Sequence, residues 1–252
     1  MKNENYFTAS RMSVIAVFSA LAFALYLVRI PMAFAFAPWL ELNLSDIPAF
    51  IGTFALGPVA GCIIVTVKIL LKLIVQGTGT VFVGEFADLI IGYSLVIPCG
   101  LIYKKHRSVK GAIVALAVGS IISTLCAILA NRVLLIPFYA NQWGLSTLAG
   151  MLTGLFPSCT EENFYSFYLW ASVLPFNLLR CIVSGVITFF VYKRVSRLVK
   201  RIGEKFDPVT GTAEETPEAQ KVRSRKSAVW IIVFVGVLLV LIGGVLLRYF
   251  LT

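Results

Sequence analysis

Residues 38–61 read PWLELNLSDIPAFIGTFALGPVAG, and residues 68–103 read KILLKLIVQGTGTVFVGEFADLIIGYSLVIPCGLIY. A membrane-crossing helix takes about 20 mostly apolar residues, and the apolar runs here are of that order. Yet Glu41, Asp46, Lys68, Lys72, Glu85 and Asp88 stand inside or beside them. A charge at mid-bilayer costs roughly 2.5–3.5 kcal/mol on insertion scales, so charges persist where they face one another or a polar cavity. The pattern predicts paired helices around a buried polar site, not a simple anchor.

The same reading extends outward over the whole chain of 252 residues, 59% hydrophobic and 13% charged. That balance is far from a soluble domain. Spans are predicted near 10–30, 46–57, 58–76, 84–103, 111–137, 168–192 and 228–250, the second and third sharing a turn at Gly57-Pro58. The expected fold is an all-α integral membrane protein. A six-helix bundle over 1–197 is followed by a basic, flexible cytoplasmic linker over 198–227 and an additional lipid-facing helix over 228–252.

The net charge of +10 raises the question of nucleic acid. The distribution of the charge answers it. Two basic residues precede the first span, four lie in 104–110 and ten in 193–227, whereas the predicted loops 31–45, 77–83 and 138–165 hold none. Sixteen of 22 basic residues thus fall on one side of a six-span bundle. That is the positive-inside pattern, which predicts a cytoplasmic N-terminus, a multi-pass protein of the cell membrane and no nucleic-acid partner. Five cysteines, Cys62, Cys99, Cys126, Cys159 and Cys181, have no spacing that points to a metal or a disulfide framework.

Several polar residues stand out against this background. Trp39, Glu41, Asn43 and Ser45 alternate with Leu40, Leu42 and Leu44, a strand-like pattern in a greasy loop suited to lidding a pocket. Ser45 or Asp46 is expected to cap the helix that Pro48 opens. Lys68 and Lys72 share a helix face, as do Glu85 and Asp88 across the Gly-rich turn Gly77-Thr78-Gly79-Thr80. Depth counting at about 1.5 Å per residue pairs Lys72 with Asp88, although either residue is open to ligand contact instead. Asn177 and Arg180 share a face of the sixth span, and Asn131, beside Arg132, lies near the end of the fifth. These three are candidates to converge on one site. In the first span, Ala16 and Ala20 are four apart and flanked by Ser13 and Ser19, which permits close approach of another helix.

The runs LNLSDIPAFIGTFALGPVAG (42–61), VGEFADLIIGYSLVIPCGLIY (83–103), NRVLLIPFY (131–139) and LPFNLLRCIVSGVITFFVYKR (174–194) carry a family likeness. Over residues 9–197 the chain resembles the riboflavin-specific S components of energy-coupling factor (ECF) vitamin transporters. The resemblance implies a six-helix S-component bundle that binds a vitamin in a pocket open to the outside. It implies partners too: a transmembrane coupling subunit, met by Ala16 and Ala20, and two ATP-hydrolysing subunits. Vitamin contacts are implied from Leu40, Glu41 and Leu42 in the first loop, from Gly84 and Asp88, and from Asn131, Asn177 and Arg180. The chain departs from the family pattern at several positions. Asp88 stands where Asn is usual, Arg180 where Lys is usual, Glu41 where a small polar residue is common and Arg132 where an aromatic is common.

The expected function is capture of riboflavin or a related flavin, with the flavin as transported ligand and not as cofactor. The isoalloxazine suits an apolar aromatic pocket, and the ribityl hydroxyls suit Asn131, Asn177 and Arg180. Arg180 and Arg132 also leave flavin mononucleotide open, and another vitamin-like ligand is an alternative. A secondary transporter working alone is a further reading. An enzyme is not expected. The single histidine, His106, lies in a basic loop, and no catalytic or Walker motif is present; Glu85 and Asp88 offer at most two carboxylates to a metal.

Overall fold

The structure, a computed structural model, describes residues 9–206. It is helical almost throughout. In chain order come α1 (Ala9–Leu27), α2 (Asp46–Leu56), α3 (Pro58–Gln76), α4 (Val83–Lys105) and α5 (Val109–Ala130). The fifth helix continues through a π-helical segment, Asn131–Leu135, into α6 (Ile136–Trp143), and α7 (Leu145–Thr153) follows. A single turn, α8 (Phe164–Ser166), leads through a second π-helical segment, Phe167–Val173, into α9 (Leu174–Phe206).

Among the described residues, four helical stretches are long and apolar enough to cross a membrane: Pro58–Gln76, Val83–Lys105, Val109–Trp143 and Phe164–Val191. Arg11–Leu27 and Asp46–Leu56 are shorter apolar helices. Helices thus stand where spans are expected between residues 10 and 192, four of them long enough to cross. The predicted linker overlaps α9 as far as Phe206. Its remainder and the predicted span 228–250 lie outside the described residues. One expectation needs correction. The 138–165 segment is not only a loop, since it carries the end of α6 and all of α7. The strand-like alternation of 39–45 yields one short antiparallel pair, with Ile30 opposite Leu42 and Pro31 opposite Glu41, so β1 (Ile30–Pro31) and β2 (Glu41–Leu42) are two residues each. Pro31 has no N–H to donate, which limits the ladder.

Local chemistry sets the joints. Gly57, at φ 101°, occupies a conformation that costs glycine little, and Pro58 follows at the start of α3, where its missing N–H is no loss. Ser108 caps α5 by accepting from the Gly111 N–H at 3.0 Å. Gly100 lets α4 meet α3 closely: a Cβ there would lie 2.7 Å from Pro58 Cβ and 2.8 Å from its Cα.

Packing forms two large apolar clusters. Ile15, Phe18 and Ala22 of α1 meet Ile47 and Ile51 of α2, Ile64, Val65 and Ile69 of α3 and Val96 of α4. The other cluster gathers Ala37 of the first loop with Ile128, Ile136, Leu148, Leu152, Phe164, Tyr168 and Val173. The first loop is therefore seated on protein, as its greasy composition requires. The cavity is lined from the first loop, α1, α2, α3, α4, the first π-helical segment, α6 and α9.

Candidate functional site

The cavity holds about 330 Å³. Its wall includes Leu40, Glu41, Gly84, Asp88, Asn131, Asn177 and Arg180, seven of the eight residues singled out for ligand contact. The eighth, Leu42, is not among the lining residues; it is buried on the other face of β2. Asn131 comes from the first π-helical segment, Asn177 and Arg180 from α9, Gly84 and Asp88 from α4, and Leu40 and Glu41 from the first loop.

Eight charged side chains line the same space, four cations (Arg29, Lys68, Lys72, Arg180) and four carboxylates (Glu41, Asp46, Glu85, Asp88). Most are committed to one another. Asp46 faces Lys68 Nζ at 3.6 Å and Arg180 Nε at 3.4 Å, tying the start of α2 to α3 and α9. Lys68 also donates to Ser45 Oγ at 3.0 Å and lies 5.7 Å from the centre of the Tyr26 ring. Lys72 pairs with Glu85, which also accepts from the Thr78 and Thr80 hydroxyls at 3.0 and 3.1 Å. At the rim, Arg29 joins Glu41 at 3.2 Å and donates to Gln76 at 2.7 Å. Asp88 accepts from the Tyr26 hydroxyl at 3.1 Å.

This network corrects three expectations. Lys72 does not pair with Asp88; Glu85, three residues nearer the turn, takes it. Asp46 and Ser45 do not cap α2 through their side chains. A charged pair across helices satisfies Asp46 where a main-chain N–H was expected to. Arg132 is not at the cavity; its guanidinium sits 5.3 Å from the centre of the Tyr165 ring. Ala16 and Ala20 lie on the exposed side of α1, with Met12, Val17 and Leu21.

The turn from α3 to α4 is tightly built. Val81 and Phe82 both have positive φ, 47° and 68°, unusual for residues with bulky side chains. Thr78 Oγ1 accepts from the Phe82 N–H at 2.9 Å, and Thr80 Oγ1 accepts from the Gly84 N–H at 2.9 Å. The two threonines that hold this turn are those that hold Glu85.

Uncommitted polar capacity remains at the wall. Arg180 Nη2 is buried with no hydrogen-bond partner among the described residues. Asn177 spends one N–H on Val173 O at 2.9 Å, and Asn131 spends one on Ala127 O at 2.8 Å. Aromatic surface comes from Tyr26, Trp39, Tyr139 and Phe176. Sequence reasoning missed Tyr26, Arg29, Tyr139 and Phe176 as lining residues. Tyr26 was within reach, because Ile15, Phe18, Ala22 and Tyr26 recur at helical spacing along one side of α1.

Comparison with known proteins identifies relatives over the region just described. The family described as "ECF transporter, substrate-specific component" matches residues 10–192. The chain is 32% identical to "Riboflavin transporter RibU" of Staphylococcus aureus (strain TCH60) over 76% of this chain and 93% of that protein. It is 28% identical to "Riboflavin transporter FmnP" of Bacillus subtilis (strain 168), over 76% of this chain and 94% of that one. A solved structure, "Structure and mechanism of the S component of a bacterial ECF transporter", aligns at a TM-score of 0.58 and 31% identity, covering 76% of this chain and 98% of that chain.

Proposed function

The chain belongs to the family of ECF transporter substrate-specific components, and from that premise we propose that it captures riboflavin outside the cell for import. Relatives named as riboflavin transporters support this reading. The observation that carries it is the cavity: aromatic side chains beside polar groups with spare donors, Arg180 Nη2 foremost, and charges most of which are already met by one another. A flat heteroaromatic ring with a polyhydroxylated chain matches both halves of that wall, within the size range of small-molecule sites. Buried donors left without acceptors are costly, so a ligand supplying oxygen atoms gains what the empty wall lacks.

Charge balance favours riboflavin over its phosphate ester. Four lining cations face four lining carboxylates, and Arg180 already has Asp46. A phosphate would add negative charge to a wall whose cations and carboxylates already balance in number. The substitution of Arg for the family's usual Lys at 180 is in keeping with a guanidinium that serves Asp46 and a ligand at once.

The chain performs no chemistry in this reading. Ala16 and Ala20, exposed on α1, are the proposed contact with the coupling subunit, whose two ATP-hydrolysing partners supply the energy. Six membrane helices with the N-terminus in the cytoplasm are the proposed topology, supported by the absence of basic residues from 31–45, 77–83 and 138–165. The direct test is what the protein carries when purified from cells fed riboflavin. A bound species with the visible absorption of a flavin, released on denaturation, is the expected result; a different vitamin in the extract would refute it.

A further inference from the structure

One hydrogen-bonded chain runs from the first loop to the cavity wall outside the ion pairs. Trp39 Nε1 donates to the Tyr168 hydroxyl oxygen at 2.9 Å, and the Tyr168 hydroxyl donates to Asn131 Oδ1 at 2.6 Å. Asn131 Nδ2 in turn donates to Ala127 O at 2.8 Å. Chemistry fixes the direction of every link. An indole N–H only donates, so the Tyr168 oxygen accepts from it and sends its own hydrogen to Asn131. A main-chain carbonyl only accepts, so the amide nitrogen faces Ala127. Both partners select the same orientation of the Asn131 amide.

Tyr168 does not line the cavity; it is fully buried, stacked on Phe164 at 5.5 Å and 7°, with the Trp39 ring 5.5 Å away. Its surroundings are apolar: Ile136, Leu148, Leu152 and Val173. A phenylalanine would serve packing there equally well, and a buried hydroxyl is costly unless it is partnered. Asn131 and Tyr168 both belong to π-helical segments, Asn131–Leu135 and Phe167–Val173. Such segments recur at functional sites.

We propose that Trp39 and Tyr168 are positioning residues that hold Asn131 as an N–H donor toward the ligand, coupling the seating of the first loop to ligand recognition. Unsupported, an asparagine amide turns over and offers either oxygen or nitrogen. With Oδ1 held by Tyr168 and one N–H spent on Ala127, the group offers its second N–H, and the matching ligand atom is a carbonyl or hydroxyl oxygen. With the loop carrying Trp39 seated, the Tyr168 hydroxyl oxygen is held by the indole N–H and its hydrogen is directed at Asn131 Oδ1. The inference rests on the cavity being the flavin site.

A double-mutant cycle tests it, with riboflavin affinity read by fluorescence quenching on the purified full-length protein. Tyr168→Phe should weaken binding about tenfold, a typical effect of one lost hydrogen bond, and Trp39→Phe about threefold. In an Asn131→Ala background, Tyr168→Phe should cost less than about twofold more, because residues acting through one group are not additive. If Asn131→Ala binds too weakly to titrate, Asn131→Ser replaces it in the cycle. An unchanged affinity for Tyr168→Phe, or the same fold loss in both backgrounds, would overturn the proposal, since a packing role is indifferent to Asn131. A wild-type protein that quenches no flavin would overturn the flavin reading and this inference with it, a result distinct from additivity in a protein that binds.

Discussion

Lys72 of α3 and Glu85 of α4 form an ion pair beside the cavity, and Asp88, three residues further along α4, takes no part in it. Glu85 gathers Lys72, Thr78 and Thr80, whereas Asp88 has the Tyr26 hydroxyl. The two carboxylates share a helix and differ in what depends on them.

Glu85→Gln should therefore destabilise the protein by about 3–5 kcal/mol, because it leaves Lys72 without a counter-charge in a largely buried site. Asp88→Asn should cost under about 1 kcal/mol, since an amide oxygen still accepts from Tyr26. Thermal unfolding of the ligand-free protein in detergent compares the two. A larger loss for Asp88→Asn would mean that Asp88, not Glu85, holds Lys72.

Asp46 is shared by two cations, and that sharing has an asymmetric consequence. Asp46→Asn strands both Lys68 and Arg180 and should cost about 3–5 kcal/mol. Lys68→Met leaves Asp46 with Arg180 and should cost less than half as much. Melting temperatures of the two variants decide this, and equal losses would show that Arg180 does not support Asp46.

Much of this was legible in the sequence, and the limits have physical causes. The apolar runs marked the helices because a bilayer imposes length and composition together. Gly57-Pro58 marked a joint because each residue has a narrow conformational use. Asp46 was misread as a cap because capping is a local signal, whereas Lys68 and Arg180 reach it from other helices. Lys72 was matched to Asp88 because Glu85 and Asp88 differ by only about 4.5 Å of helical rise. The positive φ of Val81 and Phe82 in the 77–82 turn is not foreseeable from residue type, so the offset between the two helices could not be counted to one turn. The π-helical segments that carry Asn131 and Tyr168 leave no periodic trace, and nothing in the sequence around it singles out Tyr168.

The exposed small face of α1 predicts a separation of two functions. Ala16→Trp or Ala20→Trp should abolish riboflavin uptake by cells while leaving affinity within about twofold, because neither residue lines the cavity. A parallel loss of binding in the purified variant would assign these alanines to internal packing.

Glycine substitutions test the helix packing. Gly100→Ala should cost about 1–3 kcal/mol, since the added carbon meets Pro58 main chain at 2.8 Å and cannot be accommodated by a rotamer change. Gly150→Ala, in α7, meets nothing within 4 Å and should stabilise by roughly 0.5–1 kcal/mol. Chemical or thermal unfolding of the pair reads both signs, and a neutral Gly100→Ala would refute the close contact between α3 and α4.

The central claim is that the charge-balanced cavity takes an uncharged flavin. Titration of the ligand-free protein with riboflavin and, separately, with flavin mononucleotide tests it most directly. Riboflavin fluorescence should be quenched with one site per chain and at least about tenfold higher affinity than its phosphate ester, a difference of ~1.4 kcal/mol. Asn131→Ala and Asn177→Ala should each weaken riboflavin by about one to two decades. Tighter binding of the phosphate ester, or no quenching by riboflavin at any concentration that leaves the protein folded, would contradict the claim.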